Sequence, residues 1–322
     1  MLDRASDLRK SPGWLAQQWG HPDCQVMLLH NDKNLMHCDH DQAPVALYHS
    51  RQDIKFLTND TNKVVFLGLN ETTPLFAVEI EISIEAYFEG QENLKHDEQQ
   101  FIDVRQLGCL LNAQDAAVLA YARGLLFWNR NSLFCSRCGA PTIQIQGGHA
   151  KHCSNDSCGH LTFPRTDPAV IMLIEDYSNP DQPRCLLGRN AKFPNRMMST
   201  LAGFVDPSES LEETVVRESF EEAGIRVGEV AYQASQPWPF PSSIMLGFRA
   251  LATTTDITID GVEIEEAGWF TVEQLMSFGE WGDDDENYCL PRRDSIARYL
   301  IECWIRDVTK SNEASKTASL LP

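Results

Sequence analysis

Along residues 1–112 the apolar positions come in short runs divided by polar, turn-rich breaks. VMLLH (26–30), VALYH (45–49), KVVFLGL (63–69) and LFAVEIEI (75–82) have the length and the β-branched or aromatic content that predict strands. A helix is predicted over Ala113–Asn131, where Ala117, Leu119, Ala120, Leu125 and Leu126 supply small and apolar positions. From Phe163, FPRTDPAVIMLI is a near-continuous apolar run of the kind found in a strand buried on both faces. RCLLGRN (184–190) reads as the next strand, MMSTLAGFV (197–205) leads into a polar stretch, and VAYQASQ, IMLGFRALAT and EAGWF supply further strands. A final helix is predicted over about Arg292–Thr309, and the polar tail SNEASKTASLLP predicts disorder. The acidic run Asp283–Glu286 reads as a solvated loop.

The polar stretch, Gly203–Ile225, is GFVDPSESLEETVVRESFEEAGI. Asp206-Pro207 signals a turn, Ser210 and Glu213 have capping-box spacing, and Gly224 stands where a helix takes a left-handed terminus. On that helix Glu218, Glu221 and Glu222 converge on one side, and Val216, Phe220 and Ala223 are expected on the other. Arg217 reaches Glu221 one turn on. Three carboxylates on one short face repel each other unless cations occupy it, and hard divalent ions such as Mg2+ or Mn2+ select such oxygen clusters. A solvated acidic face would explain a Glu-Glu pair. It does not explain Gly203, Glu209 and Arg217 arriving with it at fixed spacing.

Length and composition permit two or three ordinary soluble domains in 322 residues that are 43% hydrophobic and 23% charged. No apolar run approaches the roughly 18 residues of a membrane span, and the polar start MLDRASDLRK argues against a secretory leader. A net charge of -19 argues against broad electrostatic binding to nucleic acid, so an anionic substrate would be received by metals or a local basic patch.

Of the ten cysteines, Cys24, Cys38, Cys109, Cys185, Cys289 and Cys303 are scattered, whereas Cys135, Cys138, Cys153 and Cys158 cluster. That distribution predicts a reducing, cytoplasmic setting with one metal site, not a disulfide framework. Two cysteine pairs, C-x2-C and C-x4-C, have zinc-ribbon spacing, in which four thiolates close a tetrahedral shell around one structural Zn2+ per chain. His149, His152 and His160 read as solvent-facing or merely hydrogen-bonded, and His37, Cys38 and His40 as incidental surface. A ribbon can also bind nucleic acid, a reading the acidic balance weakens.

Ser235–Ser243 places Pro237, Pro239 and Pro241 around Trp238 and Phe240. The stiffened backbone presents two aromatics with little entropy to lose, as a platform for a flat ring such as adenine or nicotinamide. Taken alone, the same loop could pack its aromatics into a core.

Gly203, Glu209, Arg217, Glu218, Glu221, Glu222 and Gly224 resemble the box of the Nudix hydrolases, with Ser219 where that family usually has an aliphatic residue. SQPWPFPxS downstream and the ribbon upstream are similar to the NADH pyrophosphatase (NAD+ diphosphatase) branch. The specific motifs cover roughly residues 113–306.

The resemblance implies an α+β chain. It consists of an N-terminal Nudix-like domain (1–130), a zinc ribbon (131–163), a catalytic Nudix α/β/α sandwich (164–310) and a tail (311–322). It implies a homodimer and the hydrolysis of NADH and NAD+ to NMN(H) and AMP with Mg2+ or Mn2+. Glu218, Glu222 and Glu263 match the metal-ligand glutamates, with the Ala202 carbonyl as an additional ligand. Glu221 matches the supporting or base carboxylate, beside Arg217. Phe163 matches an aromatic, usually Tyr, that stacks on the dinucleotide. Phe204, Gln236, Pro237, Trp238, Pro239, Phe240, Pro241, Ser242 and Ser243 match substrate-binding elements, and Ala297 another contact. Gly148 falls where a bacterial relative has an acidic contact. NAD-capped RNA is an alternative substrate for the same chemistry. A non-catalytic nucleotide sensor would have a degraded box, whereas every charged position of this one is filled.

Overall fold

The computed structural model describes residues 2–319 apart from 40–42, 55–62, 81–86, 88–97, 108–109, 194–195, 260 and 284–286, with side chains as far as Ser311. His40, Cys109, the end of LFAVEIEI and most of the acidic run 283–286 thus lie outside the described residues. The chain forms two compact units, Met1–Thr166 with Pro239–Ser242, and Asp167–Trp238 with Ser243–Pro322. Among the described residues, no helix is long and apolar enough to cross a membrane.

The second unit is a mixed sheet of β11 (Asp167–Asp176), β12 (Arg184–Asn190), β13 (Leu201–Phe204), β14 (Val227–Trp238), β15 (Ser243–Ala252) and β16 (Ile264–Thr271). Its order is β14-β15-β11-β12-β16, with β13 added to β11. The apolar run of β11 is buried on both faces. Val170, Met172 and Ile174 pack with Val215 and Ala223 of the helix Leu211–Ala223. Ile171 and Leu173 pack with Leu300, Ile301 and Trp304 of the helix Ile296–Ser319. Alternation along one strand therefore builds the α/β/α sandwich, each fully buried aliphatic contributing about 1.5–3 kcal/mol.

The first unit repeats this topology. Its strands are β1 (Gln25–His30), β2 (Lys33–His37), β3 (Val45–Ala46), β4 (His49–Ser50), β5 (Val64–Asn70), β6 (Thr73–Glu79) and β7 (Gln99–Ile102). β5, β6, β1, β2 and β7 pair as β14, β15, β11, β12 and β16 do, with β1 parallel to β6 as β11 is to β15. β4 adds to β1 as β13 adds to β11. One part does not repeat. β13 and β14 are joined through residues 205–226, which include a helix of 13 residues, whereas β4 and β5 are joined by residues 51–63 alone. That connection is no longer than the 13-residue helix by itself, so among the described residues the first unit has the sheet without the box.

Helix α1 (Pro12–Trp19) and the predicted helix Ala113–Asn131, here α3 after the one-turn α2 (Val104–Leu107), belong to the first unit. Asn112 caps α3 by accepting from the Asp115 N–H at 2.9 Å. The ribbon sheet, β8 (Thr142–Ile145), β9 (Ala150–Cys153) and β10 (Leu161–Thr162), is stitched to this unit. Gln144 donates to the Val64 carbonyl at 2.7 Å, and His149 Nε2 donates to that of Phe66 at 2.8 Å. Of the two readings for His149, solvent-facing or merely hydrogen-bonded, the second holds, and the ring is buried.

VALYH was expected to be one strand. It is two, because β3 pairs with β2 while β4 pairs with β1, and the chain changes neighbour between them. α1, β2 and β7 were not anticipated, their sequences being too short or too polar to show a period. The helices of the second unit are α4 (Leu211–Ala223), α5 (Val272–Met276) and α6 (Ile296–Ser319). The tail expected to be disordered continues α6 as far as Ser319. A packed helix offers a nucleus already formed, and adding residues to one costs far less than starting it.

Candidate active site

Local sequence sets α4. The Ser210 side chain accepts from the Glu213 N–H while Glu213 accepts from the Ser210 N–H, and Gly224 closes the helix with φ 70°. The face it buries differs from the expected one. Val215, Ser219, Glu222 and Ala223 turn inward, while Val216 and Phe220 are exposed. The acidic side flanks the buried face because Glu218 is seated against β13, and that fixes the rotation of the helix. Phe220 instead lies under the Arg226 guanidinium, 4.8 Å away. Ser219, the departure from the usual aliphatic residue, is fully buried and returns its hydroxyl to the Val215 carbonyl at 2.6 Å.

Arg217 is the hub of the acidic face. It donates to Glu209 at 2.6 Å, Glu218 at 2.8 Å, Glu221 at 2.9 Å and the Phe204 carbonyl at 2.9 Å. Its bonds hold the Glu209 carboxyl down at a pKa of about 2. Glu218 behaves oppositely: burial pushes its pKa up, Arg217 opposes this, and repulsion from Glu221 and Glu263 adds to the rise. Glu263, on the exposed approach to β16, is thus close enough to act on Glu218. Glu222 is buried at 5% exposure, and Glu221 is largely exposed. Farther along β16, Arg189 pairs with Glu265 and Glu266, and the Tyr288 hydroxyl donates to Glu266. No short-range sequence signal points to Tyr288, which is 22 residues from Glu266.

A cradle supports a divalent-cation reading. Gly203 on β13 leaves room that a Cβ would fill, and the Glu218 carboxylate occupies it. Ala202, the neighbour of Gly203, pairs with Ile171 of β11. Glu218, Glu222 and Glu263 have the hard oxygen donors that Mg2+ or Mn2+ select. Among the described residues the four cysteines are the one group of three or more His, Cys, Asp or Glu side chains with ligand atoms within 4.8 Å of one another. The glutamates are spread more widely, Arg217 drawing Glu218 and Glu221 to itself.

The cysteine cluster fits zinc closely. Cys135 and Cys158 Sγ are 3.9 Å apart and Cys138 and Cys153 Sγ 3.4 Å. Four sulfurs at about 2.3 Å from Zn2+ would be roughly 3.8 Å apart. The Arg137 N–H points at Cys135 Sγ at 3.4 Å and the Asn155 N–H at Cys153 Sγ at 3.5 Å, both favouring thiolate.

The residues that the resemblance matches to substrate-binding elements occur in both units. In the first, Phe163 is exposed, and Phe240 packs beneath the guanidiniums of Arg123 and Arg105, 4.7 and 5.4 Å from its ring. Arg123 also donates to the Pro239 carbonyl, and Gly124 leaves space for Pro239. Pro241 and Ser242 belong to the same segment. In the second unit, Phe204 is exposed, and Pro237 and Trp238 end β14 paired with Ile244 and Ser243. Gln236 is bonded to the start of α6. Ala297, expected as a contact, lies in the core beneath α6 at 5% exposure, because the helix turns that position toward the sheet.

A sandwich carrying this capped acidic helix, its Arg hub and its glycine cradle is the catalytic domain of a Nudix hydrolase. The NUDIX domain family matches residues 165–290, the NADH pyrophosphatase-like rudimentary NUDIX domain 23–128, and the NADH pyrophosphatase zinc ribbon domain 130–163. The chain is 36% identical over 338 aligned residues to the NAD-capped RNA hydrolase NUDT12 of Homo sapiens, covering 95% of this chain and 72% of that one. It is 41% identical over 208 residues to the NAD-capped RNA hydrolase NudC of Mycobacterium bovis, covering 63% of this chain and 64% of that one. Among solved structures, a NUDIX hydrolase from Nitrosomonas europaea is similar at 23% identity and a TM-score of 0.36, covering 49% of this chain and 98% of that one. The chain belongs to the NADH pyrophosphatase branch of the Nudix hydrolases, and it is an enzyme.

Proposed function

We propose that this hydrolase cleaves the pyrophosphate bond of NADH and NAD+, releasing NMN(H) and AMP. The observation that carries the reading is the seating of Glu218 in the Gly203 cradle beside Arg217, in a chain that also has the proline-stiffened Trp238 segment. Glu218, Glu222, Glu263 and the Ala202 carbonyl would hold Mg2+ or Mn2+, ions that neutralise charge on a pyrophosphate and lower the pKa of a bound water. Arg217 fixes the directions of Glu218 and Glu221, and Glu221 or Glu222 accepts the proton of the attacking water. Trp238 and Phe204, both of the second unit, offer faces to the flat rings of the dinucleotide.

A structural Zn2+ on Cys135, Cys138, Cys153 and Cys158 completes the first unit, supported by their sulfur spacing. The reading includes a homodimer and a reducing, cytoplasmic compartment, supported by family membership.

Incubating the protein with NADH, NAD+ or ADP-ribose and Mg2+ or Mn2+, then separating products by chromatography, tests the proposal. AMP and NMN(H) from the dinucleotides support it, and intact NADH and NAD+ with both metals defeat it. The relatives' names favour a second reading, in which the same chemistry removes an NAD cap from RNA. At matched concentrations, cleavage of capped RNA without cleavage of free NADH would replace the first reading with the second.

A further inference from the structure

By sequence Gln236 stands among the substrate-recognition residues, yet both ends of its amide are engaged inside the second unit. Nε2 donates to the Asp294 carbonyl at 2.7 Å, and Oε1 accepts from the Ile296 backbone N–H at 2.8 Å. Ile296 is the first residue of α6. The first N–H groups of a helix have no partner within it and must find one outside. Here two side chains share the task, since the Ser295 hydroxyl accepts from the Arg298 N–H at 3.2 Å. Ser295 is a local cap, while Gln236 comes from 60 residues away.

The position of this link on β14 gives it a consequence. Gln236 pairs with Met245, Pro237 with Ile244 and Trp238 with Ser243 in unbroken register, and the strand ends at Trp238. Residues two apart in a strand share a face, so Gln236 and Trp238 lie on the same side. Pro237 between them has no N–H to give the ladder. The last side-chain bond that fixes this strand end before Trp238 is therefore the one from Gln236 to α6.

We propose that Gln236 is a positioning residue: it ties the end of β14, and Trp238 with it, to the first turn of α6, and it does not bind the substrate itself. The proposal rests on the dinucleotide reading for the role of Trp238.

Gln236→Leu removes both bonds at similar volume. Its KM for NADH should rise about tenfold, the effect of losing roughly one to two hydrogen bonds' worth of positioning, while kcat changes less than about twofold. In a Trp238→Ala background the same substitution should change KM by less than about twofold, because two residues acting through one contact are not additive. Gln236→Glu keeps an acceptor for the Ile296 N–H and should fall between wild type and Gln236→Leu. Hydrogen exchange at the amides of Ile296–Arg298 should quicken about tenfold or more in Gln236→Leu. An unchanged KM, full additivity with Trp238→Ala, a Glu variant no better than Leu, or unchanged exchange would each overturn the proposal. If the wild-type protein leaves NADH intact, the dinucleotide reading fails by itself, and the exchange measurement still decides whether Gln236 anchors α6.

Discussion

Gly203 and Glu218 are packed so closely that no side chain fits between them: a Cβ on Gly203 would overlap the Glu218 carboxyl carbon and both of its oxygens. The glycine of the box is there for close approach to a carboxylate, and its backbone needs no left-handed angle. Gly203→Ala should displace Glu218 and lower kcat by about 100-fold, the order of loss expected for a displacement near 1 Å. AMP release checks the rate, and a thermal melt close to wild type would show that the loss is one of geometry.

Glu222 is buried on the inner stripe of α4, with Val215 and Ser219. Glu222→Gln keeps the shape and removes the charge. Turnover should fall by about 100- to 10,000-fold, whether Glu222 serves as base or as metal ligand. Near-normal hydrolysis of NADH by this variant with Mg2+ or Mn2+ would refute its assignment.

His149 gives the first unit a pH dependence of known sign. Burial lowers its pKa from 6.5 to about 4, the bond to Phe66 opposing and Arg9 and Arg4 adding to the fall. The unfolded chain therefore binds a proton that the folded chain refuses. Stability is complete above about 6.5 and declines as pH falls toward 4, by on the order of 3 kcal/mol. Glu209 works in a lower window: its contribution is present above 4.5 and is lost only as pH falls toward about 2. Urea titrations across pH 4–7 should show the first effect, and His149→Gln should flatten it.

Metal analysis should return about one zinc per chain, held through extensive dialysis. Cys153→Ser should lower the melting temperature and the yield of folded protein, because the ribbon is bonded into the first sheet through Gln144 and His149. A variant that keeps the wild-type melt without zinc would show the cluster to be dispensable.

Ser219 should tolerate Ala, with a stability change within about 1 kcal/mol, since its hydroxyl returns to a carbonyl that the helix already satisfies. Ser219→Leu should cost about 1–3 kcal/mol by overfilling a position that is closed to solvent. Denaturant midpoints of the two variants separate the outcomes.

The amino-acid order alone determined what depends on neighbours a few residues apart. The capping box of Ser210 and Glu213, the Gly224 terminus and the span Ala113–Asn131 are set by contacts within one or two turns of chain, and each half of the cysteine set, C-x2-C and C-x4-C, is likewise local. Tertiary structure decided which stripe of α4 faces inward, because that rotation follows from where β13 pairs with β11. It also divided VALYH between two partner strands, buried Ala297, and gave the Gln236 amide to Ile296. The repeated sheet of the first unit likewise became legible only as a set of pairings. Sequence periodicity reports that a residue will be covered. The covering partner comes from a distant part of the chain and is chosen when the strands align.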